Sequence, residues 1–320
     1  MILQRSLIVV ILLGFLFSAL LGPVLIPILI KIKAGQSIRQ DGPKSHQIKQ
    51  GTPTMGGFIF ILAAVTATMM VSGMDESLLV AFFGFLSFAA IGLIDDYIKV
   101  VLKRPLGLRA YQKIIMQVAA AAGLLILAQQ SNLLPKEIYI PYGRVMVDFG
   151  WWMLPFLILV IVGTANSVNL TDGLDGLAAG TMVIVSGFFS LICWHLGLTS
   201  LAWFSGALSG ACLGFLVFNI YPARVFMGDT GSLALGGALS AIGIISNMTL
   251  LIPIVGGIFV AETLSVILQV AGYKLTGKRL FKMSPLHHHF ELSGWSETRV
   301  VTIFWGITLV MCLVGILGIP

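Results

Sequence analysis

Apolar residues fill most of the chain in long runs, and short polar stretches separate these runs. A helix of roughly 20 apolar residues crosses the hydrocarbon core of a membrane, so each run of that length predicts a membrane-spanning helix. The predicted helices lie at residues 6–30, 54–73, 78–95, 113–130, 151–168, 177–194, 199–218, 232–248, 251–272 and 299–318. The pattern predicts an all-α integral membrane protein of about ten transmembrane helices, in a single polytopic domain over residues 1–320.

The composition excludes a water-soluble protein. With 58% hydrophobic and 10% charged residues, the chain has too little polar side chain to coat a soluble surface. The first apolar run is too long for the core of a signal peptide, so it is predicted to be a retained helix. Cys193, Cys212 and Cys312 lie inside apolar runs, which indicates neither a disulfide framework nor a thiolate metal site.

The basic residues predict the orientation of the helices. If the N-terminus lies outside, all Lys and Arg residues except Arg5, Lys136 and Arg144 fall on the cytoplasmic side, as the positive-inside rule requires. Both termini are then outside, and the net charge of +6 becomes a cationic cytoplasmic face that suits anionic lipid or a phosphorylated substrate. In the outer loop at 136–150, residue types alternate along the chain on both sides of a Tyr-Gly turn. This pattern predicts a short β-hairpin.

Asp95 and Asp96 end an apolar run in the stretch AAIGLIDDYIKV, residues 89–100. On a helix these neighbours point about 100° apart, so one acid can face a site while the other faces a neighbouring helix. Lys99 lies about one turn from both acids. Acids at a helix C-terminus oppose the helix dipole, so we expect other groups to stabilise the pair; the alternative is a solvated helix end.

Asn169, Asp172 and Asp175 are spaced by three residues in NSVNLTDGLDGLAAG, residues 166–180. If this segment is helical, that spacing aligns the three polar side chains. The alternative is a helix cap at Thr171 or Asp172, which explains one of the three polar residues.

Asn219 ends the helix before a second glycine-rich stretch, MGDTGS at residues 227–232. Glycines on both sides of Asp229 predict free N–H groups at the start of the next helix, which suit an anion. An ordinary Asp-Thr-Gly turn is the alternative. These acids and amides lie at the cytoplasmic ends of several separate helices, so they are expected to converge at one level.

Three consecutive histidines, His287, His288 and His289, lie in a basic loop between apolar runs. Adjacent histidines seldom have the separated spacing of preformed zinc sites. Contact with a phosphate or a sugar is therefore the favoured interpretation, and zinc is the weaker alternative.

Together these polar residues indicate chemistry on phosphates. Oxygen ligands select Mg²⁺ or Mn²⁺, and Mg²⁺ usually bridges carboxylates to substrate phosphates. Phosphoryl transfer needs the metal and cations to neutralise developing charge. Because a membrane location implies a lipid reactant, the residues predict a Mg²⁺-dependent phosphotransferase that joins a nucleotide-linked group to a lipid phosphate.

The motifs resemble those of the phospho-N-acetylmuramoyl-pentapeptide transferase (MraY) family, in the polyprenyl-phosphate N-acetylhexosamine-1-phosphate transferase superfamily. The resemblance runs almost end to end. Its stretches are RQDGPKSHQIKQGTPTMGG at 39–57, DDYIKVVLKRPLGLRAYQK at 95–113, NLTDGLDGLAAG at 169–180, FNIYPARVFMGDTGSLALGG at 218–237 and MSPLHHHFELSGWSETRVV at 283–301. The aspartate motifs are shared with the whole superfamily, whereas GTPTMGG and PLHHHFELSGW are more specific to this family.

The resemblance implies transfer of phospho-MurNAc-pentapeptide from UDP-MurNAc-pentapeptide to undecaprenyl phosphate, giving lipid I and UMP for peptidoglycan synthesis. It also implies a homodimer in the bacterial inner membrane, with the active site cytoplasmic and the membrane lipid around it. A groove for the polyprenyl tail is expected beside the helix at 253–272. Within that helix, Glu262 is expected to be a buried hydrogen-bonding residue, although intramembrane acids are often functional.

The resemblance also assigns roles to residues. Asp229 is expected to ligate Mg²⁺, or alternatively Mn²⁺. Asp95 and Asp96 are expected at the reacting phosphates and are further candidate metal ligands. The other catalytic candidates are Lys99, Lys113 and His288. The substrate-binding candidates are Lys49, Thr54, Asn169, Asp172, Asp175, Asn219, Phe226, Gly228, Gln269, His287 and His289.

The pKa of the acceptor, which is the lipid phosphate, limits the roles that the aspartate pair can have. A phosphate monoester has its second pKa near about 6, so it is mostly dianionic at pH 7 and gains little from a base. Asp95 and Asp96 are therefore expected to position metal and lysine while the lipid phosphate attacks directly. A base role and a covalent aspartyl-phosphate intermediate are the alternatives.

Other functions would have different patterns. A sister enzyme that uses UDP-GlcNAc would share the aspartates but lack GTPTMGG and HHHFELSGW. An ion-coupled transporter would carry its binding groups near the bilayer midplane, whereas most acids here lie at the inner edge. A lipid-binding scaffold would need the basic face but not the converging polar groups. No nucleic acid partner is expected.

Overall fold

A computed structural model describes the chain over residues 2–32, 51–104 and 106–320. This part of the chain is a bundle of apolar helices with one small hairpin. Its elements are α1 (Ile2–Lys31), α2 (Gly57–Val71), α3 (Glu76–Val100), α4 (Ala110–Gln130), β1 (Ile138–Ile140), β2 (Val145–Val147), α5 (Met153–Thr171), α6 (Leu177–His195), α7 (Thr199–Asn219), α8 (Gly228–Ile245), α9 (Ile252–Val255), α10 (Gly257–Thr276), α11 (Leu286–Glu291) and α12 (Glu297–Ile316).

A helix of 15 residues or more lies in each of the ten predicted segments, which confirms the all-α membrane class. Nine of the described helices are long and apolar enough to cross a membrane, and α2 is a shorter apolar helix of 15 residues. Side chains such as Leu12, Ile115 and Leu268 point outward from α1, α4 and α10, as expected for helices that face lipid. The three cysteines are buried free thiols.

Three predicted boundaries were wrong in ways that affect the site. Helix α3 continues five residues past Asp95, to Val100, and α8 begins at Gly228 rather than at 232. Both aspartate motifs therefore lie inside helices. The helix predicted at 251–272 is interrupted at Gly256, because glycine weakens a helix interior, and it continues as α10.

Helices α3 and α8 pack closely because small residues line their contact. A Cβ atom on Gly92 would overlap the backbone carbonyl of Asp229, and a Cβ atom on Gly237 would overlap the carbonyl of Gly84. Without side chains at these positions, the two helix backbones can approach each other. The turn of α3 just after Gly92, which carries the two acids, therefore lies against the first turn of α8.

The hairpin marks the opposite end of the bundle. Strands β1 and β2 pair antiparallel, with Tyr139 opposite Met146, which confirms the predicted hairpin. The backbone N–H of Tyr139 donates to Oδ1 of Asn247, just after α8 (3.4 Å), and the Tyr142 hydroxyl donates to the carbonyl of Val314 in α12 (3.3 Å). The hairpin thus lies at the C-terminal ends of α8 and α12, away from the aspartates.

Candidate active site

Three carboxylates meet where α3 contacts the start of α8. One oxygen each from Asp95, Asp96 and Asp229 lies within 4.8 Å of the others. Asp95 and Asp96 are buried, at 2% exposure each, whereas the side chain of Asp229 is 17% exposed. We call these acids, together with Lys99, Lys113 and Asn169, the acid centre.

Asp95 faces a lysine and a loop. Its Oδ2 forms an ion pair with Nζ of Lys99 (2.5 Å), and its Oδ1 accepts a hydrogen bond from the backbone N–H of Leu108 (2.7 Å). The lysine lies one turn further along α3, as the i,i+4 spacing predicted. These contacts supply the stabilisation that acids near a helix C-terminus require.

Asp96 faces the start of α8 and caps it from another helix. Its carboxylate accepts hydrogen bonds from the backbone N–H groups of Asp229 (3.2 Å) and Thr230 (2.9 Å) and from the Thr230 hydroxyl (2.6 Å). Free N–H groups at a helix start favour an anion. The predicted anion at this helix start is thus the protein's own carboxylate, and these two N–H groups are not open to a ligand.

Asp229 joins the centre to α4 and α5. Its Oδ2 lies 3.1 Å from Nζ of Lys99 and 2.7 Å from Nζ of Lys113, and its Oδ1 accepts from Nδ2 of Asn169 (3.0 Å). The same Asn169 amide donates to Oγ of Ser232 (2.7 Å), one turn after Asp229. Four helices therefore contribute to the centre, and the prediction that separate segments converge is confirmed for these residues.

The acid centre fits a hard divalent cation. Its carboxylates and the Asn169 amide offer oxygen ligands of the kind that Mg²⁺ and Mn²⁺ prefer. Three carboxylates and two ammonium groups leave one net negative charge. One oxygen of each of the three acids lies within 4.8 Å of the others, so all three are candidate ligands, and Asp229, the most accessible, is the first of them. Asp96 uses both oxygens on α8.

Thr54 and Gly228 lie beside the centre, and Phe226 lies two residues before Gly228. The backbone of Phe226 pairs with the segment before α2, donating to Pro53 (2.8 Å) and accepting from Gly56 (2.8 Å). Gly228 has φ +70°, and a Cβ there would lie 2.5 Å from Oδ2 of Asp96 and 2.7 Å from Oγ1 of Thr54. Lys49, the remaining candidate in this part of the sequence, lies outside the described residues.

The segment at 169–176 is not one helix, which corrects the predicted alignment of its polar side chains. Helix α5 ends at Thr171, and α6 is preceded by Gly176, whose φ of +78° no continuing helix allows. Asn169 therefore faces the acid centre, while Asp172 and Asp175 lie in the turn. The alternative of a side-chain cap for α6 is also wrong, because α6 has no side-chain cap.

Asp172 is half-buried in this turn. Burial raises the pKa of its carboxyl well above the usual range, and the negative charges of Asp229, Asp96 and Asp175 raise it further. A neutral Asp172 can donate as well as accept a hydrogen bond.

Asp175 and Asn219 are buried and support loops. Oδ2 of Asp175 accepts from the backbone N–H of Ala223 (2.9 Å). The Asn219 amide accepts from the backbone N–H of Gly176 (3.1 Å) and donates to the carbonyl of Val225 (2.9 Å). These contacts hold the turn after α5 against the loop before α8. Both residues therefore shape the site through the backbone, a role the sequence interpretation did not include.

The three histidines have different surroundings. His287 is buried at 1% exposure, and a Cβ on Gly173 would collide with its ring. Nδ1 of His288 lies 2.9 Å from Oε2 of Glu291, and Nδ1 of His289 accepts from the backbone N–H of Lys282 (3.1 Å). Among the described residues, no histidine belongs to a group of three metal-ligand side chains. This arrangement does not support the zinc alternative.

Two polar residues of α10 hold the loop that contains the histidines. Glu262 is fully buried and accepts hydrogen bonds from the backbone at the start of α11, which confirms the expectation of a buried hydrogen-bonding residue. The Gln269 amide bonds to the backbone of Phe281 and Leu280. The carboxamide of this substrate-binding candidate is thus engaged with the protein.

The sequence interpretation missed four polar residues that support the acid centre. Thr230 and Ser232 contact Asp96 and Asn169, and their position on the first turn of the helix after Asp229 could have indicated this. Gln117 and Asn166 form a reciprocal amide pair between α4 and α5, with an N–O distance of 2.6 Å in one direction and 3.4 Å in the other. Polar residues inside apolar spans are the sequence feature that could have found this pair.

Comparison with known proteins gives matches over nearly the whole chain. A model of glycosyl transferase family 4 matches residues 77–247, which include the acid centre. The first signature of phospho-N-acetylmuramoyl-pentapeptide-transferases matches residues 49–61, which lead into α2. The motif GTPTMGG falls within that signature.

Curated relatives agree with these matches. A phospho-N-acetylmuramoyl-pentapeptide-transferase of Halalkalibacterium halodurans is 51% identical over 320 residues, covering 98% of each chain. A protein of the same name from Clostridium kluyveri is 50% identical over 310 residues, covering 97% of this chain and 98% of the relative. The Bacillus subtilis protein of that name is 50% identical over 318 residues, covering 98% of each.

Proposed function

Because the chain belongs to the phospho-N-acetylmuramoyl-pentapeptide-transferase family, within glycosyl transferase family 4, we propose that it transfers phospho-MurNAc-pentapeptide from UDP-MurNAc-pentapeptide to undecaprenyl phosphate. The products are lipid I and UMP, so the reaction belongs to peptidoglycan synthesis. The observation that carries the proposal is the acid centre, in which two lysines and an asparagine converge on Asp229.

In this reaction an oxygen of the lipid phosphate forms a bond to the phosphorus that bears the sugar, and the bond from that phosphorus to the UMP oxygen breaks. Asp229, with Asp95, would hold Mg²⁺, which would supply positive charge against the charge that develops on the phosphates. The ammonium groups of Lys99 and Lys113 lie within 3.1 Å of Asp229, so they are placed to contact the same phosphates. Electrostatic stabilisation of this kind is the main requirement of phosphoryl transfer.

The contacts of Asp95 favour positioning over proton transfer. One of its oxygens is paired with Lys99 and the other accepts from Leu108, so both oxygens are already engaged with the protein. The acceptor phosphate is already mostly dianionic at pH 7, because its second pKa is near about 6. Asp95 therefore holds lysine and metal, and Asp96 holds α8.

The membrane orientation is part of the proposal. The positive-inside rule puts the acid centre at the cytoplasmic face of the bacterial inner membrane, where a UDP-linked substrate is available. The hairpin and both termini are then outside. The substrate contacts of Thr54, Asp172 and Phe226, the catalytic role of His288 and the homodimer follow from the family resemblance.

A sister enzyme that transfers GlcNAc 1-phosphate would use the same acids. The match of residues 49–61 to the muramoyl-pentapeptide signature favours the muramoyl substrate. A substrate exchange decides between the two sugars.

The decisive experiment measures UMP release by purified protein with undecaprenyl phosphate and Mg²⁺, given either UDP-MurNAc-pentapeptide or UDP-GlcNAc. We expect release with the muramoyl substrate alone, abolished by EDTA. We expect Asp229→Asn to lose about 100- to 1000-fold in kcat, because it removes a charge that holds metal and lysines. Asp148→Asn, at an exposed loop position, is the matched control and should retain wild-type activity. Release with UDP-GlcNAc alone would assign the sister reaction instead.

A pH series of Asp95→Asn separates positioning from base catalysis. If Asp95 positions lysine and metal, the activity of the variant stays low from pH 6 to pH 9. Recovery toward the wild-type rate well above pH 7 would show that Asp95 acts as a base, since a more basic medium replaces a missing base.

A further inference from the structure

Helix α10 carries two polar side chains on the face that contacts the histidine loop, which we define as residues 280–291. Glu262 and Gln269 are seven residues apart, close to two full turns, so they lie on the same side of the helix. Glu262 has 0% exposure although it lies in a candidate membrane span. A buried carboxylate of this kind is costly unless hydrogen-bond donors surround it.

Glu262 finds its donors at the start of α11. Its Oε2 accepts from the backbone N–H of Leu286 (2.7 Å), and its Oε1 accepts from the backbone N–H of His287 (3.2 Å). Pro285, which precedes α11, has no N–H of its own. The carboxylate thus binds the first two free amides of this helix.

Gln269 binds the other end of the same segment. Its Oε1 accepts from the backbone N–H groups of Leu280 (3.0 Å) and Phe281 (2.9 Å), and its Nε2 donates to the carbonyl of Phe281 (3.0 Å). All three bonds go to backbone groups. The segment from 280 to 287 is therefore attached to α10 at both ends by side chains of α10.

The attachment determines where the histidines lie. The His287 ring packs against Gly173, where a Cβ atom would overlap it, and Gly173 follows Asp172 in the turn after α5. Nδ1 of His287 also lies 3.2 Å from Oε2 of Glu262. A shift of α11 would therefore move His287 and its neighbour His288 relative to that turn.

We infer that Glu262 and Gln269 are positioning residues. They attach the histidine loop to α10, an attachment that we call the clamp, and they hold His287 against the turn that carries Asp172 and thereby fix the position of the adjacent His288. Neither residue touches a reacting atom in this role. The effect on the reaction depends on the proposed function, whereas the clamp itself does not. The experiment therefore measures the attachment of the histidine loop and the enzymatic activity separately.

The clamp is read by hydrogen–deuterium exchange of the purified full-length protein. In Glu262→Ala we expect exchange in peptides covering residues 280–291 to rise at least about tenfold, with other helices unchanged. Ser265→Ala, a buried change on the same helix whose hydroxyl bonds to the Glu262 carbonyl, is the matched control and should leave this exchange unchanged. Glu262→Gln keeps one acceptor oxygen and should give an intermediate rise.

The activity is read by UMP release at saturating and limiting substrate. Misplacing a reacting group by about 1 Å can cost about 100-fold in rate, so we expect kcat of Glu262→Ala to fall about 10- to 100-fold while KM changes little. Glu262→Gln should recover part of kcat. If Glu262 instead binds substrate, KM rises and exchange of 280–291 stays at the wild-type level, which overturns the inference.

Gln269→Ala keeps the inference testable if Glu262→Ala does not fold. It should raise exchange in peptides that span Leu280 and Phe281 more than in those that cover α12. Wild-type exchange in Gln269→Ala would overturn the clamp. If no UDP-sugar gives UMP but the exchange results hold, the proposed function fails and the clamp stands.

Discussion

Two helices of this protein begin against a buried carboxylate of a neighbouring helix, Asp96 at α8 and Glu262 at α11. In each case the carboxylate accepts hydrogen bonds from two free backbone amides. The surroundings differ. Helix α8 has 18 residues, and its residues from Thr230 to Ile245 are all buried. Helix α11 has six residues, of which His287 alone is buried.

The comparison shows that the same kind of contact can contribute differently to the stability of two helices. At α8 the carboxylate is one of many interactions, because the helix also packs on α3 through glycines along its length. At α11 the bonds from α10 act on a short helix, to which Leu286 and Phe290 add packing against a small apolar cluster. We therefore expect the acid centre to be rigid and costly to distort, and the histidine loop to be softer and more mobile when perturbed.

The largest expected effect comes from a Cβ atom placed in the rigid region. Gly228→Ala combines a left-handed backbone with overlap of Asp96 and Thr54, so we expect a loss of about 3 kcal/mol in the free energy of unfolding. The measurement is reversible unfolding in detergent mixtures. Gly197→Ala has a similar φ, +76°, but nothing within 4 Å, so it should lose only about 1 kcal/mol. Equal losses would show that packing at Gly228 is loose.

The corresponding change in the soft region is Gly173→Ala, whose Cβ meets the His287 ring. Because α11 can move away, we expect a smaller loss, about 1 kcal/mol, and faster hydrogen exchange in residues 286–291. Gly163→Ala, in the middle of α5 with open space around it, is the control and should leave this exchange unchanged. A loss larger than that of Gly228→Ala would reverse the comparison.

A smaller effect is expected from the polar pair that joins α4 to α5. Gln117 and Asn166 lie about one turn from Lys113 and Asn169, respectively, along their helices. The pair therefore supports the acid centre from one helical turn away. A double-mutant cycle of Gln117→Ala and Asn166→Ala should give a coupling of about 1 kcal/mol in unfolding, with a matching decrease in kcat for UMP release.

The control for this cycle is the hydroxyl pair between α10 and α5. Oγ1 of Thr263 donates to Oγ of Ser167 (2.7 Å). The cycle of Thr263→Val and Ser167→Ala should couple in unfolding with little change in kcat. If the hydroxyl cycle lowers kcat more than the amide cycle does, the contact of α10 with α5 matters more for activity than the Gln117–Asn166 pair.

The smallest effect on stability is expected at Asp172, which lies between the two regions. Its pKa in the folded protein is raised well above 3.8 by burial and nearby acids. The unfolded chain therefore loses this proton first, and the carboxyl destabilises the fold increasingly as pH rises from about 4 to its raised pKa. Asp172→Asn removes this cost. The thermal midpoint of the variant, relative to that of the wild type, should therefore increase as pH rises across that range. A constant difference at all pH values would contradict the raised pKa.

Much of the fold could be predicted from local pattern. Each apolar run became a helix because a span of this length has no other way to satisfy its backbone in lipid. The alternation at 136–150 became the hairpin. Helix ends were predicted less well, since Asp96 stabilises the first turn of α8 from a helix more than 130 residues earlier, and local sequence does not include that contact.

The residue types and spacings within each motif indicated chemistry on phosphates: oxygen ligands, a lysine one turn from two acids, and glycines at a helix start. Only the tertiary structure decided which partner each polar group has. It directed Asp95 to a lysine and Asp96 to α8, and it engaged Asp175, Asn219 and Gln269 with loop backbone. The physical reason is that every buried donor and acceptor needs a partner, and in this bundle many partners come from distant parts of the chain.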